Sequence, residues 1–166
     1  MQEIVVNPGV AAAKKYKTNI KKFDFMIRPA TANDYSRVCD LLQSENLPTI
    51  DLPKDLPHFF VKTDSEGIVG IVGLELYGGA ALLRSMIVLP FYRNKGVASE
   101  LIDELTLNAK KENVHSIFLI TNTAEEFFNR KGFRKVERRN VDERVLQSQE
   151  FNGLCPASSA VMMKEI

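Results

Sequence analysis

The chain has 166 residues, 45% of them hydrophobic and 26% charged, with a formal net charge of +1. That balance suits one globular domain long enough to bury its own core, and near-neutrality removes any global argument for nucleic acid or an anionic membrane as partner. The two cysteines, Cys39 and Cys155, form neither a disulfide framework nor a metal-ligand spacing, and no apolar run approaches the roughly 20 residues that span a bilayer.

Residues 1–24 differ from the rest. "AAAKKYKTNIKK" carries Lys14, Lys15, Lys17, Lys21 and Lys22. The segment reads as a solvated extension ahead of a domain over residues 25–166, with a basic arm touching acidic partners as the alternative. It lacks the ordered charged, apolar and small-residue regions of a signal peptide, so a cytoplasmic location is expected.

"FMIRPA" predicts a short strand ended by Pro29. Thr31, followed three residues later by Asp34, resembles a capping box. Val38, Leu41 and Leu42 then give a helical apolar face. "ENLPTIDLPKDLP" holds three prolines in ten residues and predicts a loop or a broken helix. "HFFVKTDSEGIVGIVGLELY" predicts two strands around a turn at Asp64 to Gly67, and "AALLRSMIVL" a third strand after the Gly78–Gly79 turn. Gly67, Gly70 and Gly73 lie within a strand, where glycine marks a bulge or a close backbone approach. Val97 to Lys111 predicts a helix burying Val97, Leu101, Ile102, Leu105 and Ala109. "SIFLIT" predicts a buried strand, Ala124 to Lys131 a short helix capped by Gly132, "FRKVERR" a strand, Asp142 to Gln149 a helix and "SSAVMMKEI" a last strand. Strands joined by hairpins and one helical crossover imply an α/β domain with a mixed sheet.

One junction carries chemistry. In "SMIVLPFYRNKGVASEL" a strand stops at Pro90, a basic turn follows and a helix opens. The first amides of a helix lack intrahelical partners and the helix dipole adds positive charge there, so an anion is favoured. Gly96 and Ala98 permit close approach, and Arg93 and Lys95 add charge. Neither the P-loop nor the dinucleotide-binding glycine pattern is present. The spacing Arg-x-x-Gly-x-Ala, Arg93 to Ala98, resembles the acetyl-coenzyme-A pyrophosphate loop of the GNAT N-acetyltransferase superfamily. "LLRSMIVLPFYRNKGVASEL", "TNTAEEFFNRKGF" and "SQEFNGLCPASSAVMMK" are similar to a branch linked to arsenic resistance and related to amino-acid N-acetyltransferases, N-acetylglutamate synthases among them.

The resemblance implies a mixed central sheet flanked by helices, with the central strands splayed, and acetyl-coenzyme A (acetyl-CoA) as co-substrate. It implies that Met86, Ile87 and Val88 line the pantetheine arm and that Arg93, Asn94, Lys95, Gly96, Val97, Ala98 and Ser99 hold the pyrophosphate. The family's Asn-x-x-Ala-x-x-x-Tyr arrangement falls on Thr121, Ala124 and Phe128. Thr121 and Phe128 are therefore expected against the coenzyme, and Phe128 cannot donate the proton that a tyrosine would.

Glu75 is the candidate base, because it sits alone in an apolar run where burial raises a carboxyl pKa; a sheet-edge glutamate facing water is the alternative. Arg84 is the candidate fork for an acceptor carboxylate, with a structural salt bridge, for instance to Glu75, as the alternative. In the resembling branch Cys155, Ser158 and Ser159 lie beside the acceptor cleft, while Cys155 as a nucleophile is disfavoured with no histidine near it. His58 and His115 have no ligand spacing, so no metal is expected. The activity expected is acetyl transfer to the amine of a small amino acid or amino-acid-like compound, by a monomer or homodimer without nucleic-acid or membrane partners. A non-catalytic acetyl-CoA sensor is the alternative.

Overall fold

The computed structural model describes residues 25–166, so the lysine-rich extension lies outside the described residues. Seven strands form one mixed sheet in the order β1-β2-β3-β4-β5-β7-β6. β1 (Met26–Pro29), β2 (Phe59–Asp64), β3 (Gly67–Tyr77) and β4 (Ala80–Val88) are antiparallel neighbours. β5 (Ser116–Thr121) runs parallel to β4, and β7 (Ala160–Glu165) pairs antiparallel with both β5 and β6 (Arg134–Val136). The helical segments are α1 (Tyr35–Ser44), α2 (Val97–Lys111), α3 (Glu125–Arg130) and α4 (Glu143–Leu146).

Each helix forms where its apolar spacing meets a sheet face. α2 buries Val97, Leu101, Ile102, Leu105 and Ala109 against Val72, Leu74, Ala81 and Leu83. α1 buries Val38, Leu41 and Leu42 on the opposite face, near Phe59, Val61 and Ile71. Ahead of α1, the Thr31 amide donates to Asp34 at 2.9 Å and Arg28 forks onto Asp34 at 2.7 and 2.8 Å. Gly73 is required by packing, because a Cβ there would lie 2.4 Å from the Phe59 ring. Gly132, at φ 85°, ends α3 while the Phe133 amide reaches back to Phe128 at 3.0 Å.

Two sequence expectations run too long. β6 stops at Val136 and the chain turns through a 3-10 segment at Arg138–Asn140. The helix expected over Asp142 to Gln149 is one turn, with the Asp142 side chain accepting from the Arg144 amide at 2.9 Å. Four basic residues within Arg134–Arg139 and an N-capping aspartate favour exposed turns over a buried face. Among the described residues no helix is long and apolar enough to cross a membrane.

The site depends on two irregularities in β4. Pairing with β5 covers only Ala80↔Ser116, Ala81↔Ile117 and Leu82↔Phe118; beyond these the strands part. Against β3, Gly73 faces Arg84 while Ile71 faces Ile87, so β4 carries one extra residue. Ser85 absorbs this bulge at φ 56°.

Candidate active site

Where β4 and β5 separate, a cleft of about 510 Å³ opens. Leu83, Ser85, Met86 and Val88 line one wall, Leu119 to Thr121 the other, and Phe127 and Phe128 of α3 close one end. Glu45 to Pro48 from the loop after α1, together with Arg84, Glu150 and Cys155, line the remainder. A second compartment of about 440 Å³ shares Val88, Ala98 and Phe127 with the first. It is lined by Arg93, Asn94, Gly96, Val97 and Ser99, and by Arg130 and Lys131 at the C-terminal end of α3.

The second compartment has the chemistry of an anion seat. Asn94 and Gly96 both take positive φ, at 61° and 84°, which turns the chain tightly into α2. The first bond of α2 runs from the Glu100 amide to Gly96 at 3.1 Å, so the amides of Val97, Ala98 and Ser99 have no partner within the helix. A Cβ on Gly96 would meet only Glu100 Oε1, at 3.7 Å, so the space above the turn is open. Arg93 Nε donates to the Val88 carbonyl at 2.9 Å, and its Nη2 pairs with Glu45 at 2.8 Å, so this guanidinium bridges the two compartments. Lys95 stacks its ammonium 3.8 Å from the Phe91 ring centroid and does not line the compartment.

The deep end is organised around Arg84, whose side chain is 1% exposed. Its Nη1 and Nη2 fork onto Asp51 at 2.5 and 2.7 Å. Nη1 also donates to Glu75, Nη2 lies 3.3 Å from Glu150, and Nε donates to Ser85 Oγ at 3.2 Å. Burial opposes the positive charge, and the hydrogen bonds to Asp51 and Glu75 outweigh it, holding Arg84 above its usual range. The expected isolation of Glu75 is corrected here: it is paired with Arg84 and also accepts from the Tyr77 hydroxyl at 2.7 Å. Burial, then the Glu75 contact, raises the Tyr77 hydroxyl above its ordinary range. For Arg84 the free fork is corrected, and the alternative, a structural salt bridge to Glu75, is the one the structure forms. A guanidinium has five N–H donors, and five protein acceptors surround these.

Cys155 donates its thiol to Glu150 at 2.8 Å, and burial followed by that hydrogen bond pushes the thiol up to about 12. It is a protonated neighbour of Glu150, not a thiolate. Of the expected residues, Met86, Val88, Arg84, Thr121, Phe128 and Cys155 meet in the first compartment, and Arg93, Asn94, Gly96, Val97, Ala98 and Ser99 in the second, Val88 and Ala98 lining both. Glu75 and Ser158 line neither; Ile87 lines neither either, its side chain being buried on the α1 face. Ser158 is exposed, whereas Ser159 is buried with its hydroxyl unpartnered. Asp51, in the loop over residues 47–53 that the sequence places near the acceptor site, and Glu150 are the partners of Arg84 that sequence reasoning did not single out. The signal was present: an arginine buried in a strand requires carboxylates from elsewhere in the chain.

Residues 55–135 match the model of the acetyltransferase (GNAT) domain. Over these residues the chain carries the sequence of a GNAT acetyltransferase domain. A curated relative, an uncharacterized N-acetyltransferase of Chlorobaculum tepidum, is 24% identical over 123 residues, covering 71% of this chain and 79% of that protein. Among solved structures, N-acetylglutamate synthase of Neisseria gonorrhoeae, complexed with coenzyme A and N-acetyl-glutamate, superposes with a TM-score of 0.73 at 16% identity. The match covers 85% of this chain but 35% of the synthase, so the GNAT domain spans about a third of that enzyme's length. Rv2747 of Mycobacterium tuberculosis, in complex with CoA, gives a TM-score of 0.71 at 17% identity over 85% of this chain and 99% of its own. At such identities the structural likeness establishes the fold of the GNAT domain.

Proposed function

We propose that the chain is an acetyl-CoA-dependent N-acetyltransferase whose acceptor is the amine of a small amino acid or amino-acid-like compound. The observation that carries this reading is the opening between β4 and β5 beside the N-terminus of α2. The pyrophosphate would rest on the amides of residues 96–99, with Arg93 leaving Glu45 to meet it. The pantetheine arm would run along Met86 to Val88, past Phe127 and Phe128, and bring the thioester toward Ser85.

The reaction is direct transfer. The neutral amine attacks the thioester carbonyl carbon, the N–C bond forms, and the oxygen carries the developing charge toward a β4 amide. The C–S bond then breaks and its electron pair leaves with the coenzyme sulfur. The ammonium proton passes to water or to a carboxylate of the Arg84 cluster, and the thiolate takes a proton from water. Phe128 supplies none, and a thiol titrating near ~8.5 is a tolerable leaving group without an acid.

The sensor reading draws its support from the same Phe128. Two measurements separate the readings: melting with acetyl-CoA, which stabilises whatever binds it, and release of free thiol across a panel of amines. Stabilisation without amine-stimulated thiol release would favour the sensor; absence of stabilisation would remove both readings.

A further inference from the structure

The cleft has a charge that selects its acceptor. Among the described residues lining the deep compartment, Arg84 is the only cation, and Glu45 and Glu150 are the acids. Glu45 is neutralised by Arg93 across the cleft mouth. Arg84 is shared among Asp51, Glu75 and Glu150, one guanidinium against three carboxylates, which leaves a net charge of −2 at the acceptor end. The neighbouring Cys155 is a protonated thiol and adds nothing. Among the described residues a further cation, Arg138, acts on Cys155; it stacks 5.2 Å from the Phe151 ring and donates to the Pro156 carbonyl at 3.3 Å. Its Nε is buried without a hydrogen-bond partner, but the residue does not line the cleft, so a ligand in the cleft does not meet it. Counting Arg138 still leaves the region negative.

An ammonium group entering this end is attracted, whereas a carboxylate on the carbon beside it is carried toward Glu150 and meets no unpaired cation among the described residues that line the cleft. From this we infer that the preferred acceptor is a cationic primary amine with no free carboxylate beside the amine, such as an amino-acid amide or a simple alkylamine. The inference rests on the acetyltransferase reading and, of the acceptors named there, keeps the amino-acid-like amines and sets aside the free amino acids.

The test compares matched pairs, each an amino acid against its own carboxamide with the same side chain, by kcat/KM for thiol release from acetyl-CoA. The amide is expected to exceed the acid by about tenfold to a hundredfold, the range that one added charge near a partly buried carboxylate commands. Glu150→Gln is expected to shrink this ratio by removing one of the repelling charges. Glu75→Gln, at a more exposed position, should shrink it too and serves if Glu150→Gln does not fold. Equal or better use of the free acids, or a ratio unchanged in a folded variant, overturns the inference. Where acetyl-CoA stabilises the protein but no pair turns over, the same pairs are titrated calorimetrically into the CoA complex. Tighter binding of the amides supports the inference; equal or tighter acids, or no binding by either, overturns it. Failure of acetyl-CoA itself to bind is a separate result and defeats the acetyltransferase reading instead.

Discussion

Replacing Arg84 by methionine keeps the length of the side chain and removes its charge. Three carboxylates then share a site with no cation, and Asp51, with a side chain only 5% exposed, loses both halves of its fork. Breaking a buried ion pair by deleting one partner costs about 3–5 kcal/mol, because the desolvation of the remaining charge is no longer offset. For a chain of this size each kcal/mol moves the melting temperature by roughly 2–4 °C, so a fall of about 10 °C is expected. Urea denaturation followed by circular dichroism gives the free energy directly. Arg37→Met, at an exposed helical position, is the control and should stay within about 0.5 kcal/mol. Arg84→Lys should recover only part of the loss, since an ammonium cannot fork onto Asp51. A loss below about 1 kcal/mol for Arg84→Met would refute the account of Arg84 as the hub of the buried cluster.

Gly96→Asp should weaken acetyl-CoA by about a hundredfold or more, since a carboxylate about 4 Å from the pyrophosphate costs a few kcal/mol at an intermediate dielectric; isothermal titration measures it, and Gly96→Ala isolates the backbone cost of φ 84°. Cys155 should resist iodoacetamide at neutral pH in the folded chain, and Cys155→Ala should retain acetyl transfer; abolished transfer would restore the nucleophile. Asp34 is held at about 2, chiefly by its hydrogen bond with Arg28, below the ordinary 3.8. Its contribution is therefore complete above the ordinary value and lost as pH falls through about 2. Asp34→Asn should cost about 0.5–1 kcal/mol at pH 7, where the part-exposed Arg28 is screened, and the gap to the parent should close between pH 4 and 2. A gap that stays constant across that range would remove the ion pair as its cause.

Much of the fold is local in origin and could be read in advance. The spacing of Val97, Leu101, Ile102, Leu105 and Ala109 predicts α2 with the bounds it has, and the glycine-bearing turns predict the β2–β3 and β3–β4 hairpins. The anion turn is local too, because its geometry needs only Asn94, Gly96 and the start of a helix. The Arg84 cluster is not local. Its carboxylates come from residues 51, 75 and 150, on the loop after α1, on β3 and beyond α4, and no period in the sequence joins them. Glu75 and Arg84 are each conspicuous as charges within apolar strands, yet a sequence cannot say whether such a charge meets a ligand or its own chain. That depends on register: Glu75 faces Leu82 and Arg84 faces Gly73, which puts both side chains on the α1 and α4 face beside each other.

The location of this cluster has a consequence for the chemistry. Ser85 occupies a left-handed conformation that costs a non-glycine residue about 1–2 kcal/mol, and such conformations persist where the surroundings over-determine them. The residue before it is tied to three separate segments through one guanidinium, and Ser85 Oγ itself accepts from Arg84 Nε. The bulge is thus clamped from the α1 and α4 face, while on its other side β4 has already parted from β5 after Leu82. Beyond Leu82 β4 keeps β3 as its one strand partner, and that ladder is interrupted at the bulge. The buried ion cluster adds a second tie there, so the backbone of residues 84–88 is held from β3 and from the cluster along an open gap. Arg84 therefore acts on the cleft by holding β4 still, and its carboxylates, with their excess charge, set what can approach that strand.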